Sequence, residues 1–190
     1  LLFFTDMGQC YKSKVSSFEP TKASALGDYI PGKLGFADNE KPVGMCSLTS
    51  YSPDKYIIII FANGKGVKVA ESLYETKGNR KKLIKAYSDK SGLVTLMYLS
   101  EDKEIVLETT GGRCLLIDTA MISPKAMKDT QGVGCITLRK SQKLSTVREY
   151  VQGEFVKPSR YKAKNLPSAG ATISTEDAMK KNNITFEGFE

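Results

Sequence analysis

The hairpin-like stretch FFTDMGQCYK, starting at Phe3, comes back along the chain as IFANGKGVKV from Ile60 and as LETTGGRCLL from Leu107. Setting Gly8, Gly66 and Gly112 in register brings the flanking runs into line. One unit is then used three times, and each unit carries four short β-rich segments in the same order. A single sheet of such short strands cannot bury its faces alone, so recurrence about every 50 residues calls for an array in which each sheet packs on its neighbours.

The segments are 1–5, 9–15, 32–36 and 43–49 in the first unit; 56–62, 66–72, 82–88 and 93–100 in the second; 104–110, 113–119, 132–138 and 143–150 in the third. β-Branched and aromatic residues fill these runs. Asp6-Met7-Gly8, Asn63-Gly64 and Gly111-Gly112 supply the positive φ that tight hairpins need. Between the second and third segments lies a longer, polar, lysine-bearing stretch each time: Ser16–Pro31, Leu73–Lys81 and Ala120–Gln131. None has helical periodicity, so all three read as loops. A β-sandwich would leave their regular placement unexplained, and the pattern predicts an all-β, propeller-like array. The units span about 1–52, 53–102 and 103–152. Residues 153–190 form a basic tail, with Ser174 and Asp177 spaced as a capping box for a short helix over 175–181 and a terminal strand in NITFEGFE.

Charge narrows the choice of partner. The chain has 28 Lys and Arg against 21 Asp and Glu, a net +7, which suits a polyanion. On charge alone that polyanion is either nucleic acid or an anionic membrane; no membrane span is available, because the longest apolar run, Tyr56 to Ala62, is far short of the roughly 20 residues of a spanning helix, and no membrane partner is expected. The chain lacks an initiator Met and reads as a piece of a larger protein. Cys10, Cys46, Cys114 and Cys135 form no CxxC pair and there is no histidine, so neither a metal nor a cofactor is expected; the cysteines read as small core residues in a reducing cytoplasm. Catalysis has little support. Gly32-Lys33 and Gly64-Lys65 lie outside any phosphate-loop spacing, no G-x-S-x-G elbow occurs, and Glu101, Asp102 and Glu104 read as a solvated turn.

The runs LLFFTDMGQCYKSKV and EIVLETTGGRCLLIDTAMIS, the latter followed by KDTQGVGCITL, resemble repeats of the C-terminal domain of the A subunit of bacterial type IIA topoisomerases, that is, DNA gyrase and topoisomerase IV. LYETKGNRKKLIKAYSDKSGLVTLMYL keeps the spacing but lacks the glycine that usually opens the third strand. The resemblance implies a β-pinwheel, a disc of four-stranded blades that exchange strands and wrap duplex DNA around a basic rim. About three to four blades fit in this fragment, fewer than the family's usual count, as an open arc or a closed disc. The partners it implies are the rest of the A subunit, the ATPase B subunit, and double-stranded DNA. An ATP-dependent topoisomerase is implied as parent, with a bacterial, nucleoid-associated, cytoplasmic location. The family's tyrosine nucleophile belongs to another domain. The loop SALGDYIPGKLG stands where gyrases carry a Gln-Arg-Arg-Gly-Gly-type box. A topoisomerase IV domain, or a gyrase-like fragment without the box-bearing blade, therefore fits better than a supercoiling gyrase.

DNA-facing positions of that family cluster in the stretch between second and third strands. The resemblance therefore nominates Lys77, Arg80, Lys81, Lys82 and Lys85, five cations in ten residues with no acid among them. Equivalent stretches nominate Lys22 and Lys33, then Lys125 and Lys128, while Arg139 and Lys140 extend the path. Lys65, Lys68 and Arg113 belong to hairpins and fit a turn as well as a rim. Lys157, Arg160, Lys162 and Lys164 make the tail a second basic strip, with Tyr161 facing the other way for packing. The rival reading is a propeller-type protein-interaction module without nucleic acid.

Overall fold

The computed structural model describes residues 1–180, in which twelve strands form three four-stranded antiparallel sheets. The strands are β1 (Leu2–Thr5), β2 (Cys10–Lys12), β3 (Pro42–Cys46), β4 (Tyr56–Phe61), β5 (Lys65–Ala70), β6 (Lys82–Leu83), β7 (Leu93–Leu99), β8 (Glu104–Thr109), β9 (Arg113–Asp118), β10 (Val133–Gly134), β11 (Leu144–Glu149) and β12 (Ala171–Thr172). The sheet orders are β3-β1-β2-β6, β10-β5-β4-β7 and β11-β8-β9-β12. Each repeat thus keeps three strands at home, and the fourth is donated by the sequence that follows. β6 leaves the second unit to pair with β2, Lys82 opposite Tyr11, and β10 leaves the third unit to pair with β5. β12 comes from the tail and pairs with β9, Ala171 opposite Cys114.

The hairpin glycines behave as their positions require: Gly8, Gly64 and Gly112 have φ of 68°, 77° and 68°. The third segments are much shorter than the sequence runs 82–88 and 132–138 suggest. After two paired residues the chain crosses the neighbouring hairpin turn, where Ala86 N–H donates to Gly8 O at 2.8 Å and Cys135 N–H to Gly64 O at 2.8 Å. At the Gly64 turn this crossing leaves no room for a side chain, since a Cβ there would lie 2.6 Å from Ile136 O, and the entry into the pairing is closer still. A Cβ on Gly132, at φ 71°, would lie 1.9 Å from Gly66 O.

Burial follows from stacking the sheets. Ile57 to Phe61 are wholly buried, because this strand is covered on both faces. Ile57, Ile59 and Phe61 face Leu2, Phe4 and Cys10 of the first sheet, while Ile58 and Ile60 face Ile105, Leu107 and Leu115 of the third. Each such side chain contributes about 1.5–3 kcal/mol of burial. The home edges converge, since β7 packs against both β3 and β11. The donated strands form the opposite edges of the sheets. All four cysteines are buried thiols; burial pushes Cys46 up to about 11 and Cys135 up to about 12.

Both outer faces are covered. Over the first sheet, Phe18 packs on Phe3 with centroids 5.9 Å apart and Phe36 on Tyr11 at 4.4 Å. The sequence segment 32–36 is not a strand here: Ile30–Leu34 form a short helix, α1, with Pro31 in its first turn and Gly35 closing it at φ 69°. The third segments of the later units pair with the sheet before them. This one instead folds back over the first sheet. Glu40 fixes it, accepting from Thr5 Oγ1 (2.6 Å), Tyr11 OH (2.8 Å) and Ala37 N–H (2.8 Å). Over the third sheet, Phe155 and Tyr161 of the tail close a small core with Val106, Cys114 and Leu116. Tyr161 faces inward, and its hydroxyl donates to Asp177 Oδ2 at 2.6 Å. Ser174 and Asp177 form the predicted capping pair, Asp177 N–H donating to Ser174 Oγ at 3.2 Å, and 175–180 are helical. The terminal strand expected in 183–190 lies outside the described residues.

Two expected outcomes rest on these contacts. Gly132→Ala, which forces a Cβ against the Gly66 carbonyl at positive φ, should lower stability by about 2 kcal/mol or more, read as a lower denaturation midpoint at unchanged slope. Burial raises the pKa of Glu40 and of Asp177, but the hydrogen bonds they accept outweigh it and leave both below the ordinary carboxylate range. A depressed folded pKa gives stability that is present in full above the unfolded value, about pH 4, and drains as pH falls through the folded one. The double variant Glu40→Gln/Asp177→Asn should therefore lose less stability than the wild type between about pH 6 and about pH 3 in a series of urea denaturations.

Candidate nucleic-acid interface

Each donated strand is reached through a polar lead-in that runs along the edge of the preceding sheet. The first lead-in carries Lys77, Arg80 and Lys81, all exposed; Lys82 stands in β6, and Lys85 just beyond it. None of these five enters a salt bridge among the described residues. Lys82 Nζ lies 5.0 Å from the Tyr11 ring centroid. Burial raises the pKa of the nearby Glu40 carboxyl, and Lys82 joins the three hydrogen bonds in bringing it below its ordinary range. The lead-in is anchored to the sheet below: Lys12 N–H donates to Lys81 O at 2.7 Å, and Lys12 Nζ donates to Thr76 Oγ1.

The second lead-in carries Lys125 and Lys128, both half-buried. Lys125 N–H donates to Lys68 O at 2.8 Å, which sets this stretch parallel to β5. It also approaches the first sheet, because Asp129 shares a cleft of 250 Å³ with Gly8, Lys85, Asp89 and Lys90. Two carboxylates thus stand among the cations at this junction. Arg139 and Lys140 are exposed in the turn between β10 and β11.

The remaining nominees fall elsewhere. Lys22 and Lys33 belong to the segment that folds over the outer face of the first sheet, not to a donated edge. Lys33 pairs with Asp28 at 3.0 Å and lies 5.0 Å from the Phe18 ring centroid. Lys68 is 4% exposed and locked: its Nζ is 2.5 Å from Asp102 Oδ1 and 4.8 Å from the Tyr56 ring centroid. Asp102 therefore does more than solvate a turn. Burial raises its pKa, but bonds from Lys68 and from Thr119 Oγ1 bring it below the ordinary value. Arg113 also has a structural task, since its Nε donates to Ala169 O at 2.8 Å and its guanidinium to Gly170 O, clamping the strand donated by the tail. Sequence alternation cannot reveal these two roles, because β5 is covered on both faces and the partner of Arg113 lies far along the chain.

Lys85 is one of three non-glycine residues with positive φ among the described residues, at 52°. A left-handed lysine costs about 1–2 kcal/mol, part of which glycine's extra chain entropy takes back. Lys85→Gly should raise stability by about 0.5–1 kcal/mol in chemical denaturation.

Three stacked four-stranded sheets, each completed by a strand from the sequence that follows, define a β-pinwheel array. Solved structures share this fold. They include the C-terminal domain of DNA topoisomerase IV (TM-score 0.74, 18% identity, 90% of this chain and 57% of that one), the DNA gyrase A C-terminal domain (0.62, 12%, 89% and 58%) and the E. coli ParC C-terminal domain (0.64, 13%, 92% and 76%). In sequence the chain is similar to the A subunit of DNA gyrase from Mycobacterium bovis (strain BCG / Pasteur 1173P2), 22% identical over 82% of this chain and 19% of that protein. It is also similar to the A subunit of DNA gyrase from Mycolicibacterium smegmatis, 25% identical over 60% of this chain and 14% of that protein. The chain thus spans about a fifth or less of the length of the curated relatives it matches. No family model matches it. No helix among the described residues is long and apolar enough to cross a membrane.

Proposed function

We propose that this domain binds duplex DNA without sequence preference and bends it along the edge formed by the donated strands. It does so as the C-terminal part of the A subunit of a type IIA topoisomerase. The observation that carries the reading is the first lead-in: five cations on one sheet edge, none spent in an ion pair among the described residues, on a fold shared with topoisomerase C-terminal domains. Cations spaced along an edge suit a stiff polyanion better than a small anion. Each phosphate they neutralise releases condensed counterions, and bending 20–30 bp costs on the order of 1–6 kcal/mol, which a few added contacts offset. Specificity for sequence is not needed for this work. The bent segment would be presented to the DNA-cleaving core of the same protein, with the ATPase B subunit driving strand passage in the bacterial nucleoid. The domain itself would perform no chemistry.

The decisive measurement is duplex affinity across a salt series. Wild type should lose affinity steeply with salt. Replacing Lys77, Arg80, Lys81, Lys82 and Lys85 together by glutamine should flatten the log-log slope by about 4 to 5, at about 0.9 per lost phosphate contact. Affinity indifferent to salt, or unchanged in the variant, would favour the protein-interaction reading instead.

A further inference from the structure

We infer that the tail supplies a third DNA-contacting edge, with Lys157, Arg160 and Lys164 doing for the third sheet what Lys77 to Lys85 do for the first. The inference rests on the DNA-binding reading above and extends it to a segment outside the repeats.

Topology carries the argument. β12 stands on β9 as β6 stands on β2 and β10 on β5, each at the edge opposite the home strand. The approach to β12 is the same as well. Lys125 forms a parallel bridge with Val69 on the way to β10, and Lys162 forms one with Leu116 on the way to β12. Ala163 N–H donates to Leu116 O at 2.8 Å, the counterpart of Lys125 N–H to Lys68 O at 2.8 Å. A glycine at positive φ precedes both β10 and β12, Gly132 at 71° and Gly170 at 63°. By position the stretch 157–170 is therefore a lead-in.

The segment just after β10 is also joined to the tail's lead-in. Thr137 N–H donates to Ser168 O at 2.9 Å, and a parallel bridge links Ile136 with Ser168. The second edge thus passes into the third just before the exposed Arg139 and Lys140. Folding leaves the charges outward: Tyr161 is buried, while Lys157, Arg160 and Lys164 are exposed. Lys162 is held 2.5 Å from Glu104 Oε1 and is left out of the contact set. None of the three enters a salt bridge among the described residues, and Arg160 uses one guanidinium nitrogen on Thr172 O at 3.3 Å. Glu176 and Asp177 line a cleft with Lys157 and Arg160, as Asp89 and Asp129 do beside Lys85, and in both places the basic charge at the lead-in stays out of any salt bridge among the described residues.

The test uses the full chain with Lys157→Gln/Arg160→Gln/Lys164→Gln, compared with wild type and with the five-fold variant of the first edge, on a linear mixed-sequence duplex. Affinity is measured between 50 and 200 mM salt, about the range over which counterion release dominates, together with the length of DNA protected from nuclease. Losing three phosphate contacts should make the affinity drop across that range about 40-fold smaller and shorten the protected length. The charge-conserving variant Lys157→Arg/Arg160→Lys/Lys164→Arg should keep both at wild-type values, which separates charge from folding. If the glutamine variant keeps the wild-type slope and footprint while the first-edge variant loses them, the inference is overturned and the DNA-binding reading stands. If wild type itself fails to bind the duplex, both fall.

Discussion

The pairing of a two-residue strand with the second strand of the preceding sheet is the contact on which everything else in this chain depends. Without it, β2, β5 and β9 would each end a sheet as a bare edge, with unpaired backbone groups open to association. With it, each repeat finishes the one before, and neighbouring sheets are joined both by apolar faces and by chain connectivity. The pairing is short, so its strength comes from fit. Gly132 and Gly170 let the backbone approach within a distance no side chain would allow, and Arg113 grips the last donated strand from the receiving side.

The same exchange builds the charged edge. A segment that must travel from one sheet to the next runs outside the core, and its side chains have nowhere to bury. Lysine and arginine are well suited to that position, because their stems can lie on the sheet while the charges remain in water. Lys82 over Tyr11 shows the arrangement. Core and candidate interface are therefore two faces of one topological choice, and the cations are set by the position of the lead-ins, not by a pocket.

Much of this was legible in the residues. The glycine-centred hairpins, the four-segment rhythm and the inward Tyr161 could be read directly, because turn chemistry and alternation are local. The destination of the third segments was not. KLIKAYS and GVGCITL look like strands of six or seven residues that stay at home, yet only Lys82–Leu83 and Val133–Gly134 pair, and they pair elsewhere. GKLGF has strand composition and became part of a helix, because Pro31 and Gly35 suit helix ends. Among the cations, the exposed cluster from Lys77 to Lys85 could be picked out by density alone. The buried pair of Lys68 with Asp102 could not, since a lysine in a hairpin looks the same in sequence whether its strand is covered on one face or two.

Completion by the following segment also sets how such a chain can change length. The junctions fall inside the sheets, so a cut between two compact blocks would leave one second strand bare and one donated strand without a receiver. An insertion or deletion that runs from one lead-in to the matching point of the next keeps a donated strand behind every second strand. Growth or loss of blades through recombination therefore has a natural phase, offset from the visible boundaries of the sheets.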